Sequence, residues 1–157
     1  RHGYRGTQVS RCTAEEAVEM FRIRQQIECR GIRKVVLAPR ERLVAELRGL
    51  VEAMVASAEA EDELELAAID RRFHERIFAD AGLAALEPIL HRCLIHNHRF
   101  KISRSGERRD LRRTALRHAP IVDLIEGGDA GAAERALFHH IATIVDFGPE
   151  VFEGSLA

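Results

Sequence analysis

The sequence predicts an all-α fold, an antiparallel bundle of about six to seven helices. Apolar residues recur three and four positions apart through most of the 157 residues, which is the spacing of one helix face. Strand-like alternation is confined to the first ten residues. Aromatic residues make up only 5% of a chain that is 46% apolar, so Leu, Ile, Val and Ala must build most of the core, as in helical bundles. A chain of this length is expected to form one domain.

The N-terminal part predicts the end of a hairpin, a linker and two helices. The segment RHGYRGTQVSRC has two glycines and an alternating Thr-Gln-Val, which is typical of a β-hairpin end that continues into a linker. Thr13, followed three residues later by Glu16, forms a capping-box pattern that opens a first helix, which runs to about Val36. Pro39 is tolerated in a first helical turn and opens a second helix.

The middle of the chain predicts two more helices. Asp62 opens the third, and Gly82 ends it, since helices commonly end on a residue in the left-handed conformation. The fourth runs from Leu83 to about Ile102. The segment SRSGERRD then interrupts the helical pattern and predicts a loop that is exposed to solvent, although its arginines also allow phosphate binding.

The C-terminal part predicts a final helical pair. A fifth helix runs from about Asp110 to Glu126, with Pro120 inside it as a kink. Asp129 caps a sixth helix, which ends at the Gly-Pro pair at 148–149. The connections are short, so neighbouring helices are expected to run antiparallel.

Charge and cysteine content exclude several classes of protein. With a net charge of -1, the domain as a whole is not a polyanion binder and has no basic membrane anchor. No apolar run approaches the roughly 18 residues of a membrane span, and no signal peptide opens the chain, so we expect a cytoplasmic protein. The three cysteines show no Cys-x-x-Cys spacing, which argues against a disulfide framework and against a zinc ribbon.

Polar residues on the apolar face of the third helix are the first indication of function. In IDRRFHERIF, Asp70 and His74 are one helical turn apart and share a face with Phe73 and Ile77. A buried carboxylate costs several kcal/mol unless it is paired. The simplest interpretation of these two residues alone is an ion pair within the helix.

Two further histidines occupy apolar faces on other helices. His118 is followed by Ile121 and Val122 on its face, and His140 shares a face with Leu137, whereas its neighbour His139 points mostly outward. A divalent metal bound by Asp70, His74, His118 and His140 compensates the carboxylate and gives each imidazole a partner. The alternative is that each of the four is satisfied separately.

Two other helices carry candidate ligand-binding residues. Arg24 lies on the apolar face of the first helix with Glu28 one turn further on, so the pair is either a partly buried salt bridge or a guanidinium aimed into a cavity to bind a carboxylate. On the fourth helix, Asn97 shares the inward face and is a candidate pocket residue, and His96 lies near the edge of that face. We expect His91 and His98 to be solvated.

These motifs resemble the ligand-binding C-terminal domain of FadR-type regulators, in the GntR family of bacterial transcription factors, over essentially the whole chain. FRIRQQIE resembles that domain's opening helix, with Arg24 and Glu28 at its Arg and Glu. DRRFHERIFADAGLAAL resembles its Asp-x-x-Phe-His stretch, and RHAPIVDLIEGGDAGAAERALFHH its final helical pair. The resemblance implies the same four metal ligands and a FadR C-terminal domain-like fold.

The resemblance also implies partners. In many members a bound metal, variously zinc, nickel or manganese, helps hold a small organic acid, and this effector changes the affinity of an N-terminal winged helix for operator DNA. For this chain we expect zinc first, and a homodimer. Residues 1–11 resemble the wing of that winged helix, with Arg1 and Arg5 as DNA-phosphate contacts, and residues 12–157 form the effector- and metal-binding domain. We therefore expect a fragment of a longer regulator.

Two other functions compete with sensing. Three His and one Asp around an open metal also suit a metal-dependent enzyme that acts on a small acid, because such a metal activates water. The sequence has no His-Glu-x-x-His and no Glu-x-x-His pair, which argues against this class, although Glu28 is a possible base. A structural dimerisation bundle is the third possibility.

Overall fold

A computed structural model describes residues 12–38, 41–104 and 110–142, and in these ranges the chain is helical, with no strand. This confirms the all-α fold. The predicted hairpin end and the predicted end of the sixth helix at residues 148–149 lie outside the described residues. The elements, in chain order, are α1 (Ala14–Val36), α2 (Glu41–Glu59), α3 (Glu63–Ala79), a short 3-10 turn (Ala84–Leu86), α4 (Glu87–Arg104), α5 (Leu111–Leu116), α6 (Ala119–Gly127) and α7 (Ala130–Ala142).

The predicted starts of α1 and α3 are present as hydrogen-bonded caps. The Glu16 amide donates to Thr13 Oγ1 over 3.1 Å, and the Thr13 amide donates to Glu16 Oε2 over 2.7 Å, so both halves of the capping box form. At α3, the Glu65 amide donates to Asp62 Oδ1 over 2.9 Å. Gly82 follows α3 with a φ of +66°, a conformation that glycine adopts without strain.

The predicted fifth helix is two helices in the structure. Residues 111–116 form α5, the chain turns at Arg117 and His118, and α6 begins at Ala119 with Pro120 in its first turn. A proline inside a continuous helix lacks an N–H donor and clashes with the carbonyl four residues earlier, whereas the first turn tolerates it. The predicted kink is therefore a complete break, and it leaves His118 at the N-cap of α6.

The core surrounds α1, which packs against α7, α4, α3 and α6, while α2 covers α3, α5 and α6 on the other side. Large side chains that are almost fully buried fill the space between these helices: Phe21, Ile32, Leu47, Met54, Phe73, Phe78, Leu90, Leu94, Ile121, Ile125 and Leu137. A group of polar side chains is buried inside the same core. None of the helices that the structure describes is long and apolar enough to cross a membrane.

Candidate metal centre

The structure brings the four predicted metal ligands together. Asp70, His74, His118 and His140 are all buried, and one potential ligand atom from each lies within 4.8 Å of all the others. We call these residues the four-residue cluster. The ring centroids of His118 and His140 are 4.4 Å apart, and that of His74 is 5.3 Å from His140.

Three helices position the cluster. Asp70 and His74 are one turn apart on α3, so their side chains leave the same face. His118 enters from the N-cap of α6, at the break that Pro120 imposes, and His140 comes from the last turn of α7. The break matters because it frees the His118 backbone from a continuous helix and still places its ring in the core.

A carboxylate outside the cluster fixes the proton on His74. Its Nδ1 lies 2.5 Å from Glu28 Oε2. An ionised carboxylate only accepts hydrogen bonds, so Nδ1 carries a proton, and in the neutral ring Nε2 keeps its lone pair. That Nε2 is buried, lies 3.8 Å from Asp70 Oδ2 and has no hydrogen-bond partner within the described residues. It faces the cluster as an unused ligand atom.

A backbone carbonyl fixes the position of a proton on His118. Its Nδ1 lies 3.0 Å from the carbonyl oxygen of Ala115, one turn earlier, and a carbonyl can only accept. In the neutral ring, the form that binds a metal, the lone pair of His118 is therefore on Nε2. This atom lies 3.0 Å from Asp70 Oδ1, in a contact that lacks the angles of a hydrogen bond.

His140 is the least satisfied member. Both of its ring nitrogens are buried, and neither has a hydrogen-bond partner in the ranges that the structure describes. Burial, reinforced by the neighbouring His118 and His74, lowers the pKa of His140 well below its usual value. The ring is therefore neutral at pH 7, the form in which an imidazole binds a metal.

Asp70 supplies the negative charge of the cluster. Burial raises the pKa of this carboxyl, but the neighbouring imidazoles, His98 first among them, outweigh burial, so the pKa lies well below its usual range. Asp70 is therefore ionised at pH 7. Three imidazole nitrogens and one carboxylate oxygen form a donor set that zinc and related divalent ions take in proteins.

His98 corrects the sequence-based expectation. We expected a solvated side chain, but His98 is buried, and its Nε2 lies 2.7 Å from Asp70 Oδ2. Burial is the largest cause that lowers its pKa, and the charges of Lys101 and Arg24 lower it further, against the opposing effect of Asp70. Leu94, four residues earlier on the same face, is fully buried and was the sequence feature that indicated this orientation.

Arg24 and Glu28 form the predicted pair, deep in the core. Arg24 is fully buried, and its Nε donates to Glu28 Oε1 over 2.8 Å. The two terminal nitrogens of the guanidinium, Nη1 and Nη2, are also buried but have no partner among the described residues. Burial raises the pKa of Glu28, yet His74 and Arg24 together lower it below its usual value. The pair is thus a buried salt bridge that leaves the outer fork of the guanidinium unused.

Asn97 is buried between α4 and α1. Its Nδ2 donates to the carbonyl of Ala17 over 3.1 Å, which fixes the orientation of the amide, since a carbonyl oxygen cannot donate. Its Oδ1 has no partner in the described part of the chain. His96 is half-buried, and His91 is exposed and lies 2.5 Å from Glu75, so neither belongs to the cluster. Arg1 and Arg5 lie outside the described residues.

Comparisons with known proteins identify the family. The model of the FCD domain matches residues 19–143. A probable D-xylose utilization operon transcriptional repressor from Paenarthrobacter nicotinovorans is 33% identical over 138 residues, which cover 87% of this chain and 60% of that protein. The solved structure of E. coli McbR/YncC, 16% identical, shares the fold with a TM-score of 0.76 over 86% of this chain and 65% of that one. This chain thus spans about three fifths of these relatives' length. The chain belongs to the FCD domain family, as its motifs predicted.

Proposed function

We propose that this chain is the effector-sensing domain of a bacterial transcription regulator, and that it binds a small organic acid at a divalent metal held by Asp70, His74, His118 and His140. The observation that carries the proposal is the convergence of four buried ligand atoms within 4.8 Å of one another. Three of these residues have a buried ring nitrogen without a hydrogen-bond partner among the described residues. Zinc is the metal we expect first, with nickel or manganese as alternatives.

The unsatisfied nitrogens support a metal over separately satisfied residues. A buried polar atom without a partner costs about 1–3 kcal/mol, and the cluster contains several of them. The protons on His74 and His118 are both held on the nitrogen that faces away from the cluster. Glu28 and the Ala115 carbonyl hold these two imidazoles in the orientation that a metal site requires, and a bound cation would supply a positive charge that attracts an oxygen ligand.

Arg24 supports the choice of an acid as effector. Its outer fork presents two parallel N–H donors, the arrangement that matches a carboxylate. Glu28 holds the guanidinium by Nε and so leaves that fork free. The unpartnered Oδ1 of Asn97 offers a further contact to the effector.

The relatives support a role in transcription. A relative over most of the chain is named as a probable transcriptional repressor of a D-xylose utilization operon, and we infer that this chain likewise regulates transcription in response to a small molecule. Operator DNA would be bound by an N-terminal winged helix, to which residues 1–11, with Arg1 and Arg5, would belong as the wing and linker. We further propose that the regulator is cytoplasmic and acts as a homodimer.

Helix α1 is the element that would transmit the effector signal. It carries both Arg24 and Glu28, and it follows residues 1–11 directly in the chain. An effector changes DNA affinity only if it binds one arrangement of the regulator more tightly than another. An acid that binds Arg24 more tightly in one position of α1 than in another would favour that position.

A thermal-shift screen tests the proposed function. Small organic acids are added to zinc-loaded protein and to protein treated with a chelator. We expect at least one acid to raise the melting temperature of the zinc-loaded protein only. Arg24→Ala should abolish that shift, whereas Arg33→Ala, which removes an exposed arginine of the same helix, should leave it unchanged. Stabilisation by no acid in either state, or turnover of an acid, would contradict a sensing role.

A further inference from the structure

The ring of His140 is held differently from the rings of the other two histidines in the four-residue cluster. Hydrogen bonds from groups outside the cluster orient His74 and His118. Neither ring nitrogen of His140 has a hydrogen-bond partner in the ranges that the structure describes. Its imidazole is therefore positioned by the packing around it and by the backbone from which it extends.

Arg117 binds that backbone. Its guanidinium Nη2 donates to the main-chain carbonyl oxygen of His140 over 3.3 Å. Arg117 is half-buried and directly precedes His118, in the break between α5 and α6. Its main chain therefore leads to one proposed metal ligand while its side chain holds another, and the ring centroids of these two histidines are 4.4 Å apart.

The contact lies at the open end of the α6–α7 pair. The two helices pack against each other and are joined at their other end by Gly128 and Asp129. Helix α6 has nine residues and is therefore about 13 Å long. Over that length, a change of about 5° in the angle between the helices would move the open end by about 1 Å, whereas a metal site must hold its ligands to within about 0.5 Å. A hydrogen bond at the open end thus restrains the spacing of His118 and His140 where that spacing is most sensitive.

We propose that Arg117 is a positioning residue of the metal centre, which holds the open end of the α6–α7 pair and thereby fixes the distance between His118 and His140. This inference rests on the proposed function, to which it adds a residue that supports the site without being a ligand. Glu28 would act on a metal ligand through the imidazole of His74, whereas Arg117 would act on one through its backbone.

The charge and the hydrogen bond of Arg117 have opposite effects on metal binding. A positive charge near the cluster repels a cation, so its removal alone should strengthen zinc binding. Loss of the hydrogen bond should weaken zinc binding, because His140 would no longer be held at the distance from His118 that the metal requires. A weaker affinity in a variant without the guanidinium is therefore evidence of positioning.

Arg117→Met tests this role, since methionine keeps an unbranched apolar stem but has neither the N–H donor nor the charge. Zinc is titrated into chelator-treated protein by calorimetry, and cobalt is titrated in parallel because its visible absorption reports the coordination geometry. We expect Arg117→Met to bind zinc about tenfold more weakly than the wild type and to give an altered cobalt spectrum. Arg117→Ala, which also lacks the donor, replaces this variant if it does not fold.

Two further variants serve as controls. Arg117→Lys keeps an N–H donor on a flexible stem and should restore both the wild-type affinity for zinc and the wild-type cobalt spectrum. Arg113→Met removes an exposed arginine one turn earlier on α5 and should bind both metals as the wild type does.

A wild-type affinity or an unchanged cobalt spectrum in Arg117→Met would overturn the inference, because a residue that is needed only for folding would lower the melting temperature without changing the geometry of the bound metal. Zinc binding by Arg117→Lys that is as weak as in Arg117→Met would also overturn it. A wild-type protein that binds no stoichiometric metal would instead contradict the proposed function.

Discussion

Glu28 holds two residues of the site with its two carboxylate oxygens. Oε1 accepts from Arg24 Nε over 2.8 Å, and Oε2 lies 2.5 Å from His74 Nδ1. One acidic residue thus links the proposed carboxylate-binding group to a proposed metal ligand. Through this link, a change in the position of Arg24 can alter the orientation of the His74 ring, and the reverse also holds.

Replacing Glu28 tests this link. Glu28→Gln removes the negative charge that both Arg24 and His74 face. Its amide has one oxygen and one NH2 group, so it can accept a hydrogen bond from only one of the two donors, Arg24 Nε and His74 Nδ1. We expect the affinity for zinc to fall by about 10- to 100-fold in calorimetric titrations, as for other groups that orient metal-binding histidines. Glu134→Gln removes a partly exposed partner of Arg33 and should leave the affinity unchanged. Equal affinities in the two variants would refute the role of Glu28.

The lowered pKa of His140 predicts how the stability of the metal-free protein depends on pH. Its folded-state pKa lies well below its ordinary value of 6.5, so between these two values the unfolded chain binds a proton that the folded protein does not. The free energy of unfolding should therefore fall as the pH drops below 6.5, by at most about 1.4 kcal/mol per pH unit for this residue. Urea denaturation between about pH 7.5 and about pH 5.5 measures the slope. His140→Gln should reduce it, and a wild-type stability that rises toward acid would contradict the account.

The helix face on which each site residue lies could be predicted from the sequence, but the contacts between residues of different helices could not. Asp70, His74 and His140 were expected on apolar faces because helical spacing alone assigns them there, and all three are buried. His98 was misjudged because its immediate neighbours, Asn97 and Arg99, are polar. The residues three and four positions away that indicated burial are Leu94, Ile95 and Ile102. The contact between His98 and Asp70 depends on how α4 packs against α3, which spacing within one helix does not contain.

At the scale of elements, a close approach between α1 and α3 supports the site. Gly31 of α1 lies against the Phe78 ring of α3, and a Cβ atom added to Gly31 would lie only 2.8 Å from Phe78 Cδ2. Phe78 is itself almost fully buried, so its ring has little space to move. Glycine at position 31 therefore allows α1, which carries Arg24 and Glu28, to approach α3, which carries Asp70 and His74.

Alanine at two helical glycines tests this approach. Gly31→Ala should lower the free energy of unfolding by about 1–3 kcal/mol, because overpacking outweighs the better helix propensity of alanine. Gly49→Ala in α2 is the matched control, since its added Cβ meets nothing within 4 Å, and it should raise stability by about 0.5–1 kcal/mol. Urea denaturation measures both. Stabilisation of similar size in the two variants would show that α1 and α3 are not closely packed at Gly31.

Helix limits were predictable where the chain carries its own capping chemistry. Thr13 with Glu16, and Asp62, start their helices as expected because the cap depends on residues three positions apart. The break before α6 was underestimated, because a proline can either kink a helix or end it, and local sequence does not decide between these outcomes. In the folded chain the helix ends before Pro120, and His118, at the N-cap of α6, has its side chain fully buried in the core.

At the scale of the whole molecule, a polar site lies inside an apolar bundle. Seven helices in the described ranges bury Arg24, Glu28, Asp70 and the imidazoles of His74, His98, His118 and His140 in one core. Unless they are compensated, buried charges destabilise a fold. We therefore expect metal binding to contribute substantially to stability, because a ligand that binds only the folded state adds to its free energy of unfolding.

Calorimetric titration of zinc into chelator-treated protein tests the central claim most directly. We predict one zinc ion bound per chain in the wild type, and an affinity at least about tenfold weaker in His118→Ala, which removes one ligand of the four-residue cluster. His139→Ala, which removes the exposed histidine beside His140, should bind zinc as the wild type does. Absence of stoichiometric binding in the wild type, or full binding by His118→Ala, would contradict the account.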